Sequence, residues 1–290
     1  MDSTRPNVTS PTELRRLLAE YGIRPAKRLG QSFLVDANIV AKILAAAGVG
    51  GGDSVFEVGP GAGALTVALA RNAGRVVALE IDGRFVDLLE NLLGGAPNVS
   101  IVRGDILKAD LPALLGDGSW KVLANLPYSV VGPAIARLLE HRRMFPLMLL
   151  MVQREVAQRL AAAPGGRDCG VLSVLAQAYM RVEMVGQIGH RCFYPQPRVD
   201  STLVRLTRRD EPAIAADLEP AFTAVVRAAF RQRRKTVLNA LVGAAELALT
   251  RAQAQHALDA AGIESRRRPE SLSPAEFAAL ARAVAGASQP

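Results

Sequence analysis

The sequence predicts an α/β domain with a doubly wound parallel sheet, followed by a small helical domain. Three observations carry this. From Ser54 onward, short apolar strands alternate with amphipathic helical stretches; the first strand runs into a glycine-rich segment that opens a helix; and past residue 209 the pattern is helical throughout. Crossover connections lay helices over both faces of a parallel sheet, so its strands read as unbroken apolar runs, as they do here.

Residues 1–24 read as an N-terminal extension. They are polar through residue 11, after which Thr12 is placed to cap a short helix with Leu14, Leu17 and Leu18 on one face, ended by Gly22. Lys27-Arg28-Leu29-Gly30-Gln31-Ser32-Phe33-Leu34 is basic and then apolar, and reads either as a solvated edge or as a lid over a ligand. Asp36 caps a helix through Ile39, Val40, Ile43 and Leu44. Residues 25–209 form the α/β domain: strands at Ser54–Val58, Arg75–Glu80, Val99–Val102, Val122–Ala124 and Leu147–Val152, with helices at Leu65–Arg71, Arg84–Leu93 and Pro133–Glu140. Helices at Gln153–Leu160 and Gly170–Met180 and closing strands at Val182–Ile188 and Thr202–Leu206 complete it. Thr207 to Pro212 breaks the pattern. Residues 210–290 are a helical domain, with helices at Pro220–Gln232, Lys235–Leu249, Arg251–Ala260 ended by Gly262, and Pro274–Ala285 after a Ser273 cap.

Composition narrows the setting. The 290 residues are 50% hydrophobic and 21% charged, an ordinary globular balance, and 35 Lys plus Arg against 27 Asp plus Glu give a net charge of +8 that favours a polyanionic partner. Two cysteines, Cys169 and Cys192, and the lack of a basic-then-apolar leader lead us to expect a reduced, cytoplasmic setting, in which the Asn7 and Asn98 glycosylation patterns are chance. The apolar run Leu147 to Val152 is far short of the ~20 residues that span a bilayer, so no membrane partner is expected. His190 and Cys192 lack metal-ligand spacing with another pair, so no metal is expected.

Chemistry concentrates at the strand ends. Glu57-Val58-Gly59-Pro60-Gly61-Ala62-Gly63 follows the first strand, and its glycines let a ligand approach backbone at a helix N-terminus. Glu80 closes the second strand, where an acid hydrogen-bonds ribose hydroxyls. Asp105 follows the third; its carboxylate suits an adenine amino group, with the Ile106 amide donating to a ring nitrogen. Asn125-Leu126-Pro127-Tyr128 ends the fourth. The Asn125 oxygen and the Leu126 carbonyl can accept the two hydrogens of a planar amine while Tyr128 stacks on its ring; the bland alternative is a strand exit with a structural Pro127 and a core Tyr128. Four polar residues at successive strand ends favour S-adenosylmethionine over a nicotinamide cofactor, and His141, His190 and His256 offer no plausible hydride site.

These segments, with Gln153 to Leu160, Phe193-Tyr194-Pro195-Gln196-Pro197-Arg198-Val199-Asp200-Ser201 and Phe230-Arg231-Gln232-Arg233-Arg234-Lys235-Thr236, resemble the ribosomal RNA adenine N6,N6-dimethyltransferases, closest to the bacterial small-subunit branch, from residue 25 to about 285. The resemblance implies a Rossmann-like class I methyltransferase domain. It also implies dimethylation of two adjacent adenines in a hairpin loop near the 3′ end of 16S rRNA, within an assembling small subunit, by a monomer. It places Ser32, Leu34, Gly59, Gly61, Glu80, Asp105, Ile106 and Asn125 at S-adenosylmethionine, and Tyr128 and Phe193 on either face of the target adenine, extruded from its stack. The family usually has Asn where Ser32 stands and commonly Asn where Ser129 stands. Arg227, Arg231, Arg234 and Lys235 fall at helical spacing and, with Arg266-Arg267-Arg268, suit RNA phosphates, although a charged run is also what a solvated helix face shows. Two rivals share these features: a 23S rRNA adenine dimethyltransferase conferring macrolide resistance, and a non-catalytic RNA-binding assembly or transcription factor on the same fold.

Overall fold

The computed structural model describes residues 6–25, 31–127, 129–232 and 234–287. These divide into two compact units, one formed by Met1–Ala157 with Glu183–Thr207, the other by Gln158–Val182 with Arg208–Pro290.

The first unit is built on the alternation. Its elements are α1 (Pro11–Glu20), β1 (Phe33–Leu34), α2 (Ala37–Ala47), β2 (Ser54–Val58), α3 (Ala64–Asn72), β3 (Arg75–Glu80), α4 (Gly83–Leu93), β4 (Val99–Arg103), α5 (Leu111–Leu115), β5 (Trp120–Asn125), α6 (Val131–Glu140) and β6 (Leu147–Gln153). After α7 (Arg154–Leu160) and α8 (Val171–Tyr179) come β7 (Met180–Ile188), β8 (Phe193–Tyr194) and β9 (Ser201–Arg208). The main sheet runs in the order β4-β3-β2-β5-β6-β9-β7, with β4 through β6 parallel to one another and β9 antiparallel to β6. The order reverses direction at β2, so the carboxyl ends of β2 and β5 flank the crevice where such sheets bind ligands.

Both faces of the sheet are covered, as continuous apolar strands require. On β2, Val55 belongs to a core with Val40 and Ile43 of α2 and Leu65 and Leu69 of α3, whereas Phe56 stacks on Phe145 at 6.2 Å. Each such side chain fully removed from water contributes about 1.5–3 kcal/mol. A second core joins Leu14, Leu17 and Leu18 of α1 to Phe33 and to Phe85, Leu88 and Leu92 of α4, so α1 is packed into this unit.

Caps explain most helix limits. Asp36 accepts from the Asn38 and Ile39 amides and starts α2, as the sequence indicates. Thr12 does not cap α1. Ser10 does, accepting from the Glu13 amide, because Pro11 occupies the first helical position, where its missing N–H costs nothing. The two-residue ladder β1–β8, pairing Phe33 with Tyr194 and Leu34 with Phe193, gives no periodic signal and was not expected from the sequence.

The second unit holds α8 together with α9 (Glu219–Phe230), α10 (Val237–Val242), α11 (Arg251–Ala260) and α12 (Pro274–Ala287). Two helices, α9 and α10, are shorter than the sequence expectation. α9 ends at Phe230 rather than Gln232, and α10 spans Val237–Val242 rather than Lys235–Leu249, because Thr236 caps it at the Asn239 amide and Gly243 closes it.

Candidate active site

Four strand ends and the β1 segment meet around one cavity of about 290 Å³ in the first unit. Its walls include Ser32, Leu34, Glu57, Gly59, Gly61, Glu80, Asp105, Ile106, Asn125, Leu126 and Pro127. Every residue expected at the cofactor therefore faces a single space. Tyr128, Arg233 and the basic segment from Lys27 to Gly30 lie outside the described residues.

The glycine-rich turn makes this space. Gly59, Gly61 and Gly63 all have positive φ (69°, 53° and 87°), which other residues adopt only at a cost. A Cβ on Gly61 would come within 3.0 Å of the Phe33 ring, and one on Gly63 within 2.6 Å of Leu89 Cδ2. The bare backbone is what lets Phe33 and α4 close in around the loop.

The polar groups are fixed from below. Glu80, 6% exposed, accepts from the Gly61 amide through Oε2 and the Asp82 amide through Oε1, both at 3.0 Å. Each carboxylate oxygen carries a second lone pair, so Glu80 can brace the loop and still accept from a ligand. Burial raises the Glu80 pKa despite these amides, and burial pushes Glu57, 2% exposed, up to about 8, helped by the charge of Glu80 and opposed by the Thr66 hydroxyl. Asp105 Oδ1 accepts from the Leu107 amide at 2.9 Å, which turns the chain after β4 and brings Ile106 to the wall. Asn125 Nδ2 donates to the Ser32 carbonyl at 3.0 Å, and the Leu126 amide donates to the Met151 carbonyl at 3.3 Å. The first bond fixes the Asn125 amide with Oδ1 as its opposite end.

Phe193 is not brought to this opening. It is 2% exposed, paired through β8 with Leu34 and packed in the core with Leu123 and Leu203. Stacking on an extruded base would require its ring to leave that core. The RNA-binding expectation also changes in geometry: Arg227 lies on α9 and Arg231 is its C-cap, but Arg234 and Lys235 fall in the turn before α10, so the four do not share one helical face. All four are exposed. Arg231 pairs with Glu246 at 2.8 Å, while Arg267, between exposed Arg266 and Arg268, is held by Glu276 and Ser271 and serves as a structural clasp.

A model of the family described as ribosomal RNA adenine dimethylase matches residues 23–285. The chain belongs to that family. Its relatives include the ribosomal RNA small subunit methyltransferase A of Geobacillus thermodenitrificans, 45% identical over 96% of this chain and 97% of that one. The same-named protein of Moorella thermoacetica is 46% identical over 96% and 99%. Among solved structures, a dimethyladenosine transferase from Plasmodium falciparum superposes with a TM-score of 0.70 at 25% identity, covering 86% of this chain and 95% of that one. The 23S rRNA methyltransferase ErmE gives 0.65 at 27%, covering 87% and 99%.

This ribosomal RNA adenine dimethylase thus carries a Rossmann-like class I methyltransferase domain with a helical C-terminal part, and its substrate class is ribosomal RNA. Among the described residues no helix is long and apolar enough to cross a membrane, and no group of three His, Cys, Asp or Glu is arranged to hold a metal. Among the wall residues that the sequence reading did not single out, Ile81 and Phe33 stand out. Ile81, directly after Glu80, is 63% exposed at the cavity, where an apolar face suits a flat ring. Phe33 closes the side nearest Gly61. An apolar residue straight after the strand-ending acid is the signal that points to the first; the second depends on the β1–β8 ladder.

Proposed function

We propose that this protein dimethylates N6 of two adjacent adenines in a hairpin loop near the 3′ end of 16S rRNA, in an assembling small subunit, with S-adenosylmethionine as methyl donor. The observation that carries the reading is the shared cavity: the amide of Asn125 and the chain at Leu126-Pro127 face the same space as the Gly59–Gly63 turn, Glu80 and Asp105. The relatives named for the small subunit support 16S rRNA as the target.

The residues present fit the donor. Glu80 has acceptor capacity for two ribose hydroxyls, Ile81 and Ile106 supply apolar surface for an adenine ring, Asp105 suits its amino group, and the cradle at Gly61 is one that a Cβ would fill. Buried Glu57 Oε2 has no hydrogen-bond partner in the chain's described residues, which suits a site completed by a polar ligand. Ser32 stands where the family usually has Asn, and its carbonyl orients Asn125. Leu34 closes the wall beside it.

When bound, S-adenosylmethionine supplies a methyl group already activated by the positive charge on sulfur, so the chain needs neither a metal nor a nucleophilic side chain. What the protein must do is present N6. That nitrogen is a weak nucleophile because its lone pair is delocalised into the ring. Asn125 Oδ1 and the Leu126 carbonyl accept its hydrogens, draw the lone pair out of the ring plane and align it with the donor. Tyr128 stacks on the extruded base, an interaction worth roughly 1–3 kcal/mol. Pro127, next to the acceptor carbonyl, withholds a competing N–H donor and fixes the local backbone.

The test is methylation of small-subunit particles from cells lacking this gene, with nucleosides of 16S and 23S rRNA analysed by mass spectrometry. Two N6,N6-dimethyladenosines per 16S rRNA are expected. Product in naked 23S rRNA and none in the particles would overturn the assignment.

A further inference from the structure

The chain returns from β7 to β9 through a loop closed by a side-chain pair outside the cavity. Asp200 Oδ1 accepts twice from His190, from its amide and from ring Nδ1, both at 2.9 Å. A carboxylate brings no proton to that contact, so Nδ1 is the protonated nitrogen. These bonds, the ring's first, hold the Asp200 carboxyl below its ordinary value, so it stays an anion and an acceptor. The Asp200 carbonyl also accepts from the Arg154 amide at 3.3 Å, where α7 begins.

The strand registers place this loop. Ser201, the first residue of β9, lies opposite Gln153 of β6, and Met151, two residues earlier on β6, lies opposite Asn125. Because β9 runs antiparallel to β6, the residues before Ser201 emerge at the carboxyl ends of β5 and β6, the end at which the Asn125 amide stands. Inside the loop β8 is anchored on its own: Phe193 and Tyr194 pair with Leu34 and Phe33, the Val35 amide donates to the Cys192 carbonyl at 2.8 Å, and the Arg15 guanidinium lies over the Tyr194 ring at 5.4 Å. The tip beyond β8 is different. Arg198 and Val199 are exposed, Val199 by 44%, and the Arg198 side chain has no partner among the described residues. A cation beside an apolar group suits a strand of RNA, the first for a phosphate and the second for a base or sugar. Without the His190–Asp200 pair the tip could follow other paths, and RNA binding would carry the entropy of ordering it.

We propose that His190 and Asp200 are positioning residues for methyl transfer: their pair fixes residues 195–199 on the Asn125 side of the sheet, where Arg198 and Val199 hold the RNA strand that flanks the target adenine. Neither His190 nor Asp200 touches the reacting atoms. The proposal rests on the reading above that RNA presents its adenine at Asn125, and it holds for whichever rRNA is methylated.

The test is methyl transfer to small-subunit particles from cells lacking this gene, with particle concentration varied at saturating S-adenosylmethionine. His190→Ala should raise KM for the particles about three- to tenfold, the size of one lost hydrogen bond, with the effect on KM rather than kcat. S-adenosylmethionine Kd should hold, and so should the melting temperature, because a pair whose side chains are 47% and 48% exposed adds little to stability. His190→Asn, which returns a donor amide near the place of Nδ1, should recover most of the loss. Arg198→Ala should raise KM to a similar degree, and His190→Ala added to it should cost little more, because the pair acts through the tip. An unchanged KM in His190→Ala overturns the proposal, as do losses that add in the double variant. A KM rise accompanied by weaker cofactor binding and a lower melting temperature overturns it too, and would make the pair a staple of the fold. If wild type methylates 23S rRNA and not the particles, the same variants are read on that RNA. Wild type that methylates neither is a different result: it removes the functional reading itself, and this proposal with it.

Discussion

Asn125 depends on the direction of one hydrogen bond. Because Nδ2 donates to the Ser32 carbonyl at 3.0 Å, the amide is oriented with Oδ1 turned away from that carbonyl and left as its acceptor. Asn125→Ala removes that acceptor and should lower single-turnover methylation by at least ~10²-fold, the size of a lost preorganised polar contact. Cofactor Kd, measured by titration, should weaken much less; near-wild-type turnover would end the role given to it here. Glu57 allows a prediction without ligand. Its folded-state pKa, about 8, lies above the ordinary 4.5, so the stability it leaves intact below pH 4.5 is lost as pH rises through 8. Glu57→Gln removes that loss. Its melting temperature should exceed that of wild type by a growing margin from pH 5 to pH 8, reaching several degrees. Glu80 is raised in the same sense and is present in both proteins, so it largely cancels in the difference. Parallel melting curves across that range would mean that Glu57 is ionised without penalty. Asn125, Glu80 and Asp105 were legible in the sequence because a strand's end is a local property. The burial of Phe193 was not, since it follows from the long-range pairing of Leu34 with Phe193.

Among the elements, the β2–α3 turn shows what a glycine pattern can and cannot convey. The spacing announced a close backbone approach, and the positive φ values bear that out. It did not say that two of the glycines serve packing. Gly63→Ala would place a Cβ 2.6 Å from Leu89 Cδ2, a fully buried side chain on α4, in a backbone conformation unfavourable to alanine. Strain of roughly 1–2 kcal/mol for the left-handed residue and about 1–3 kcal/mol for overpacking should both appear in urea unfolding. A Cβ on Gly59 would meet its nearest neighbour, Pro127 Cδ, only at 3.9 Å, so Gly59→Ala should show the backbone part alone. Equal losses in the two variants would mean that α4 yields without cost. Helix limits tell a similar story. Pro11 at the first position of α1 locates Ser10 as the cap, a local signal that a reading centred on Thr12 passes over. The stop of α9 is different: Arg231 to Lys235 contain no breaker, and the turn is set by Thr236 starting α10 and by the Val237 amide donating to the Arg267 carbonyl. A sequence window cannot see that second contact.

For the molecule as a whole, the excess of eight positive charges is the property that RNA would feel first. The sequence indicates which unit carries the basic run but not its geometry, because residues 158–182 join the helical unit only through tertiary packing and the run itself leaves the helix after Arg231. In a turn, Arg234 and Lys235 can reach phosphates independently of α9, whereas Arg231 must first give up Glu246 at 2.8 Å. An exposed pair of this kind is worth little, so Arg231 remains recruitable, but its net contribution is discounted. Each phosphate neutralised adds about 0.7 to 0.9 to the slope of log affinity against log salt. Replacing Arg231, Arg234 and Lys235 together by Ala should therefore flatten that slope by about 2 for binding to a 16S rRNA fragment, with the Arg234 and Lys235 changes accounting for most of it. The replacements leave the cavity residues untouched, so S-adenosylmethionine affinity should hold. If the slope is unchanged while affinity for the donor is intact, the phosphates are met elsewhere on the basic surface, and exposed Arg266 and Arg268 become the next residues to replace.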